Sequence, residues 1–221
     1  MKNQLQRHQL YFIVYGILLL ITSFFIATID KESMHLYLNS FHNNLADFFF
    51  QYTTHIGDGM AIVVVAVLLL FNSKRKTIQV ALSGVFAGFI TQILKKVVFG
   101  PTPRPSASFE DLGINLYYVD GVDLHTAFSF PSGHATAIFA MMTALVLVQS
   151  SKRFDILFIV IAVLVAFSRV YLSQHFVIDI YVGSIIGTVS AILVYSFVYS
   201  PKMLAKKKLD NPLISFSTNK A

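Results

Sequence analysis

Cysteine is absent from the chain, which excludes disulfides, thiolate metal sites and a cysteine nucleophile, and leaves redox compartment undetermined. Charge is scarce as well: 13% of the 221 residues are Asp, Glu, Lys or Arg, against about 25% in soluble domains. Hydrophobic residues make up 55%, and the mean hydropathy is +0.66. No gap between the apolar runs is long enough for a soluble domain, so residues 1–221 read as a single, all-α membrane domain. Short-spaced histidine clusters are also missing. The seven histidines are scattered, unlike the ligand sets of a membrane metalloenzyme such as a desaturase.

What is present is a set of six stretches that could each cross a hydrocarbon core, which takes about 20 apolar residues. They run approximately over 9–28, 57–73, 77–99, 131–149, 154–172 and 177–199. The first follows Lys2 and Arg7 as a signal peptide would, but no small-residue cleavage site comes after it, and it is read as a retained helix. Between the first two spans, Leu36, Leu38, Phe41, Leu45, Phe48 and Phe49 recur at nearly helical spacing, which predicts an amphipathic helix along the interface.

The net charge of +6 has a topological origin. Twelve of the 17 basic residues fall in four segments that six spans place on one side: Lys2 and Arg7; Lys74, Arg75 and Lys76; Lys152 and Arg153; Lys202, Lys206, Lys207, Lys208 and Lys220. The positive-inside rule makes that side cytoplasmic, with both termini and the basic tail 200–221 on it. Such a tail attracts anionic lipid; nucleic acid is not an expected partner.

Of the five remaining cations, four lie in or beside three segments expected on the opposite face: LKKVVFGPTPRP (94–105), FPSGHATA (130–137) and SRVYLSQHFVIDIYVGS (168–184). Ionisable groups at membrane depth cost about 2.5–3.5 kcal/mol each even on lenient scales, so their convergence calls for a function. A phosphate would use all of them. Arg104 and Arg169 offer planar donor forks, and Lys95 or Lys96 a point charge. Pro131, Ser132, Gly133 and His134 stand where the fourth span begins, so backbone N–H groups and the helix dipole face an anion there. Gly133 permits close approach, and Ser132 adds a hydroxyl. His175 and Asp179 are four apart, sharing a face if the sixth helix already starts there. The carboxylate then orients the imidazole as a nucleophile, and His134 remains to protonate a leaving group.

The order lysine, Arg-Pro, Pro-Ser-Gly-His, then Ser-Arg, five residues, His, three residues and Asp resembles the three-part signature of the type 2 phosphatidic acid phosphatase superfamily, over about residues 34–199. The second and third parts match without deviation. In the first, the family usually has six residues between lysine and Arg-Pro; here Lys96 is separated from Arg104 by seven and Lys95 by eight. The smaller insertion favours Lys96, with the Gly/Pro loop FGPTP absorbing the excess. The resemblance implies a metal-independent lipid phosphatase without cofactor, working through a phosphohistidine. It assigns His175 as nucleophile, Asp179 as its orienter and His134 as acid, with Lys96 or Lys95, Arg104, Ser132, Gly133 and Arg169 as the phosphate cradle. It also implies a bacterial inner membrane, with the site on the periplasmic or extracellular face.

The substrates it allows are phospholipid, isoprenoid and lipid A phosphates, and nothing in the residues chooses among them. A lipid-to-lipid phosphotransferase would use the same groups; a transporter of anionic lipids would use the cationic pocket but gain nothing from a poised nucleophile and acid. His35, His42, His55 and His125 match no motif and read as interfacial or loop residues. Gly183 and Gly187 form a GxxxG in the sixth span, read as close packing within the chain. The loop 100–130 is expected to cover the site from the aqueous side.

Overall fold

A computed structural model of the chain describes residues 2–213; Lys220 and the rest of the tail beyond 213 lie outside them. The helices in order are α1 (Lys2–Arg7), α2 (Gln9–Thr28), α3 (Lys31–Asn39), α4 (Asn44–Thr53), α5 (Gly59–Leu70), α6 (Lys74–Ile93), α7 (Pro105–Asp111), α8 (Gly133–Val148), α9 (Asp155–Tyr171), α10 (Val177–Val198) and α11 (Pro201–Leu204). Among the described residues, four segments are long and apolar enough to cross a membrane: Gln9–Thr28, Lys74–Val98, Lys152–Tyr171 and Val177–Val198.

The two remaining apolar stretches depart from the six uniform spans expected. α5 has only 12 residues, about 18 Å of helix. It joins α4 through the turn Thr54–Gly57 at a 60° bend, so the pair counts as a fifth span only if taken together. α8 has 16 residues, 11 of them buried. Apolar side chains lie all around it, and a helix enclosed by its neighbours need not present a full hydrocarbon thickness of its own. The expected amphipathic helix is likewise two helices. Asn43 accepts a hydrogen bond from the Ala46 N–H at 3.0 Å, capping α4 and ending the run from α3, whose own start is capped by Asp30 on Ser33 at 2.8 Å.

α8 is the axis of the bundle, and α10 lies against it more closely than ordinary side chains permit. A Cβ on Gly183 would stand 2.7 Å from the Ser132 carbonyl oxygen, and one on Gly187 would run into the Thr136 carbonyl. The GxxxG is therefore an internal packing face. Polar ties cross the bundle where water is excluded: Tyr11 with Thr143 at 3.0 Å, Tyr15 with Ser184 at 3.1 Å, and Thr91 with Thr136 at 3.1 Å. Such bonds contribute roughly 0.6 kcal/mol each in membrane bundles. The outward faces carry exposed Leu20, Phe24, Val85 and Phe89, as a lipid-facing surface would.

The two ends of the bundle differ. At one, buried Arg75 donates to the carbonyls of Val198, Met203 and Lys206 and pairs with Asp210, while buried His8 meets Asp155 at 2.8 Å. The other gathers the end of α6, the start of α8 and the α9–α10 turn.

The glycine contact is testable by thermal unfolding in detergent. Gly187→Ala should cost about 1–3 kcal/mol through overpacking. Gly16→Ala, where a Cβ meets nothing within 4 Å, should be neutral or stabilising by up to about 1 kcal/mol.

Candidate active site

The turn between α9 and α10 is built before any long-range contact is considered. The N–H groups of Gln174 and His175 both donate to the Arg169 carbonyl, at 2.9 and 3.0 Å, closing the end of α9. Ser173 has φ +52°, a left-handed conformation that costs a non-glycine residue about 1–2 kcal/mol. It is held there from outside. Its hydroxyl meets Nε2 of His35 at 3.1 Å and accepts from Asn39 at 3.4 Å, both on α3.

This geometry corrects one expectation. His175 precedes α10, which starts at Val177, so His175 and Asp179 do not share a helical face. Asp179 instead sits in the first turn and reaches back: Oδ2 accepts from the Phe176 N–H at 2.9 Å, from Ser129 Oγ at 2.5 Å, and stands 3.3 Å from His175 Nδ1. The pairing survives by helix capping, with Nδ1 as the oriented nitrogen. Among the described residues, Nε2 has no hydrogen-bond partner. Burial is the largest influence on this imidazole and holds it down, to about 3, although Asp179 pulls the other way. A ring so held is neutral at pH 7, with a lone pair for Nε2.

The two arginines approach from different elements. Arg104, buried at the start of α7, donates Nε to Ala127 and Nη1 to the Gln174 carbonyl at 3.0 Å. Arg169 donates Nη1 to Thr54 Oγ1 at 2.8 Å, and its Nε is buried without a partner. Both lie close enough to His175 to act on it electrostatically.

The lysine register differs from the one that spacing favours. Lys95 is buried and within Coulombic reach of Arg104, Arg169 and Asp179, whereas Lys96 is exposed. Leu94–Val98 forms a π-helical turn closed by the Phe99 N–H on the Leu94 carbonyl at 2.8 Å. A turn of this kind inserts one residue into a helix. Part of the excess between Lys95 and Arg104 is thereby taken up in the helix, ahead of the Gly/Pro loop.

At the start of α8, Ser132 Oγ accepts from Ala135 N at 3.4 Å, and the Ser132 N–H is already engaged by the Asp179 carbonyl at 3.0 Å. The N–H groups of Gly133 and His134 have no acceptor among the described residues. Nothing lies within 4 Å of a Cβ placed on Gly133, so the backbone is open on that side. His134 Nε2 meets Asp58 Oδ1 at 2.7 Å.

Several participants had no sequence signal. Asp58 precedes an apolar run as any helix-capping residue does, Thr54 and Gln174 belong to no motif, and Ser129 is one serine beside Pro131-Ser132-Gly133-His134. Two unassigned histidines also prove to be more than interfacial. His35 is buried against Phe109 and Phe176, and His42 meets Asp47 at 2.8 Å. His55 and His125 are exposed. The loop 100–130 packs Phe109 and Leu116 against Phe176 and lends backbone carbonyls to Arg104 and Gln174. Among the described residues, no three His, Asp or Glu side chains converge as metal ligands would.

Comparison with known proteins agrees with the signature. A lipid A 1-phosphatase of Rhizobium etli is 27% identical over 154 residues, covering 61% of this chain and 63% of its own. An undecaprenyl-diphosphatase of Sulfolobus acidocaldarius is 33% identical over 132 residues, 58% of each chain. The chain thus spans about three fifths of the length of these curated relatives. The crystal structure of Aquifex aeolicus LpxE superposes with a TM-score of 0.65 at 23% identity, over 74% of this chain and 93% of that one, which is a likeness of fold. The family model described as the PAP2 superfamily matches residues 76–202. That match covers more than half of the chain and takes in every residue from Lys95 to Asp179 discussed above, and the protein belongs to the PAP2 superfamily.

Proposed function

We propose that this protein is a membrane lipid phosphatase that hydrolyses a phosphate ester or diphosphate on a lipid head group through a phosphohistidine, without a metal ion. The observation that carries this reading is the pairing of His175 Nδ1 with the Asp179 carboxylate, with Nε2 unpartnered among the described residues, Arg104 and Arg169 within Coulombic reach of the ring, and buried Lys95 within the same reach of both arginines and Asp179. Nε2 attacks phosphorus as the bond to the leaving oxygen breaks, and His134 protonates that oxygen. Water then attacks the phosphohistidine, His134 takes its proton, and inorganic phosphate departs.

Lys95, Arg104 and Arg169, with the open N–H groups of Gly133 and His134 and the Ser132 hydroxyl, form the cradle for the non-bridging oxygens. Fixed donors of this kind supply most of the rate in phosphoryl transfer. An apolar groove of about 390 Å³ between α5 and α6 begins at Gly59, beside Asp58, and runs past Ile62, Ala66, Ala81 and Gly84. It is suited to the substrate's hydrocarbon chain. Basic residues gather at the end of the bundle away from the site, which supports cytoplasmic termini and a site on the outer face of a bacterial inner membrane.

In detergent-purified protein, His175→Ala should abolish phosphate release from lipid phosphates while leaving the chain folded and membrane-inserted; residual turnover would remove histidine as nucleophile. Lys95→Ala should lower kcat/KM by about 100-fold, the usual scale for one transition-state donor. Lys96→Ala should change it by less than about 3-fold, so an inverted order would restore the register favoured by spacing. Filling the groove with Ala81→Phe should raise KM for a long-chain lipid phosphate well above any change for a short-chain one; equal effects on both would place the tail elsewhere.

A further inference from the structure

Asp58 lies outside both the signature and the segment that matches the family, yet it touches the acid of the proposed reaction. It is the residue before α5, where an aspartate ordinarily accepts a hydrogen bond from the first turn of its own helix. Here its side chain makes no such bond. Its Oδ1 is 2.7 Å from His134 Nε2, and its Oδ2 is 3.1 Å from Nδ1 of the exposed His55. A carboxylate at the mouth of an anion site repels the ligand, so its presence there is unfavourable for binding alone. Its contact with His134 gives it another use.

The same edge of the His134 ring is also held by the residue before Asp58. A Cβ on Gly57 would stand 3.2 Å from His134 Cβ and 3.3 Å from Cδ2, so that edge of the ring lies directly against the turn between α4 and α5. Burial, with Arg169 and Arg104, disfavours the protonated form of this imidazole, and Asp58 is the anion that acts in the other direction. The arrangement mirrors the one at His175, where a carboxylate holds one ring nitrogen and leaves the other for chemistry.

We infer that Asp58 is the positioning residue of the general acid: it holds Nε2–H of His134 and stabilises the imidazolium whose Nδ1–H protonates the leaving oxygen. This rests on the phosphatase reading above. In the first step the Nδ1 proton passes to the leaving oxygen as the P–O bond breaks and the bond from His175 Nε2 to phosphorus forms. His134 is then neutral, with Nε2–H still on Asp58. In the second step Nδ1 takes a proton from the attacking water as the P–N bond breaks, which returns His134 to the imidazolium. A site so equipped is built for a substrate whose leaving group is a basic alkoxide, such as a phosphate monoester of an alkanol or sugar hydroxyl.

The test uses two substrates in the same detergent. Decyl phosphate must expel an alkoxide and needs the proton; p-nitrophenyl phosphate expels a stable phenolate and needs it little. Asp58→Asn should lower kcat on decyl phosphate by a factor exceeding its loss on p-nitrophenyl phosphate by about tenfold or more, part of the roughly 100- to 10,000-fold that a general acid contributes. Asp58→Glu should recover part of the difference. Equal losses on both substrates, or none on either, would overturn the assignment. His175→Ala run alongside separates the two ideas: it should lose both substrates, and if it retains either, the phosphohistidine reading fails whatever Asp58 does.

Discussion

A carboxylate buried at the mouth of a membrane bundle has to be satisfied completely, and that requirement at Asp179 organises the rest of this molecule. Its Oδ2 collects the Phe176 N–H, the Ser129 hydroxyl and the His175 ring, while its backbone carbonyl accepts the Ser132 N–H. Two segments about 50 residues apart in sequence are thus fastened to one residue. Leaving such a group unpaired would cost several kcal/mol, so the start of α8, the start of α10 and the turn between α9 and α10 are placed together or not at all.

The close approach of α10 to α8 is what lets one side chain serve both. Gly183 stands against the Ser132 carbonyl, and Gly187 one turn further on stands against Thr136. Without a Cβ at either, the two helices come within backbone contact, which brings Asp179 over the start of α8. The helix packing and the candidate site are therefore linked through two glycines that lend no side chain to either. The second carboxylate, Asp58, repeats the device on the other histidine from a different direction, through the bend between α4 and α5.

Support for the turn that carries His175 also comes from outside the motifs. His35 and Asn39 on α3 hold Ser173 in its left-handed conformation, and Phe109 on α7 lies against the His35 ring and packs beside Phe176. None of these residues would touch a substrate. They hold the peptide that carries His175, as a rigid scaffold must if Nε2 is to meet phosphorus in line. This explains why His35, a histidine with no motif, lies among polar and aromatic partners instead of facing the interface.

The membrane character of the chain, its helical class and most of the candidate site residues follow from local pattern alone, because apolar runs, basic flanks and the spacings around Pro131-Ser132-Gly133-His134 and His175 are properties of neighbouring residues. The first apolar run, 9–28, matches its helix at both ends. What local pattern misjudged was decided by surroundings. α8 is short because other helices enclose it, which hydropathy does not register. Lys95 and not Lys96 turns inward because a π-turn rotates the end of α6, a rearrangement of hydrogen bonds that leaves no trace in composition. Asp58, Ser129 and Thr54 enter the site from positions 50 or more residues away from their partners, and a polar side chain's role at that distance depends on which atoms the folded chain sets opposite it. Sequence by itself thus determined the class of molecule and the candidate residues; the tertiary structure alone decided which lysine is buried, which carboxylate meets each histidine and which faces of the helices pack together, since those choices depend on contacts between segments that no short-range pattern encodes.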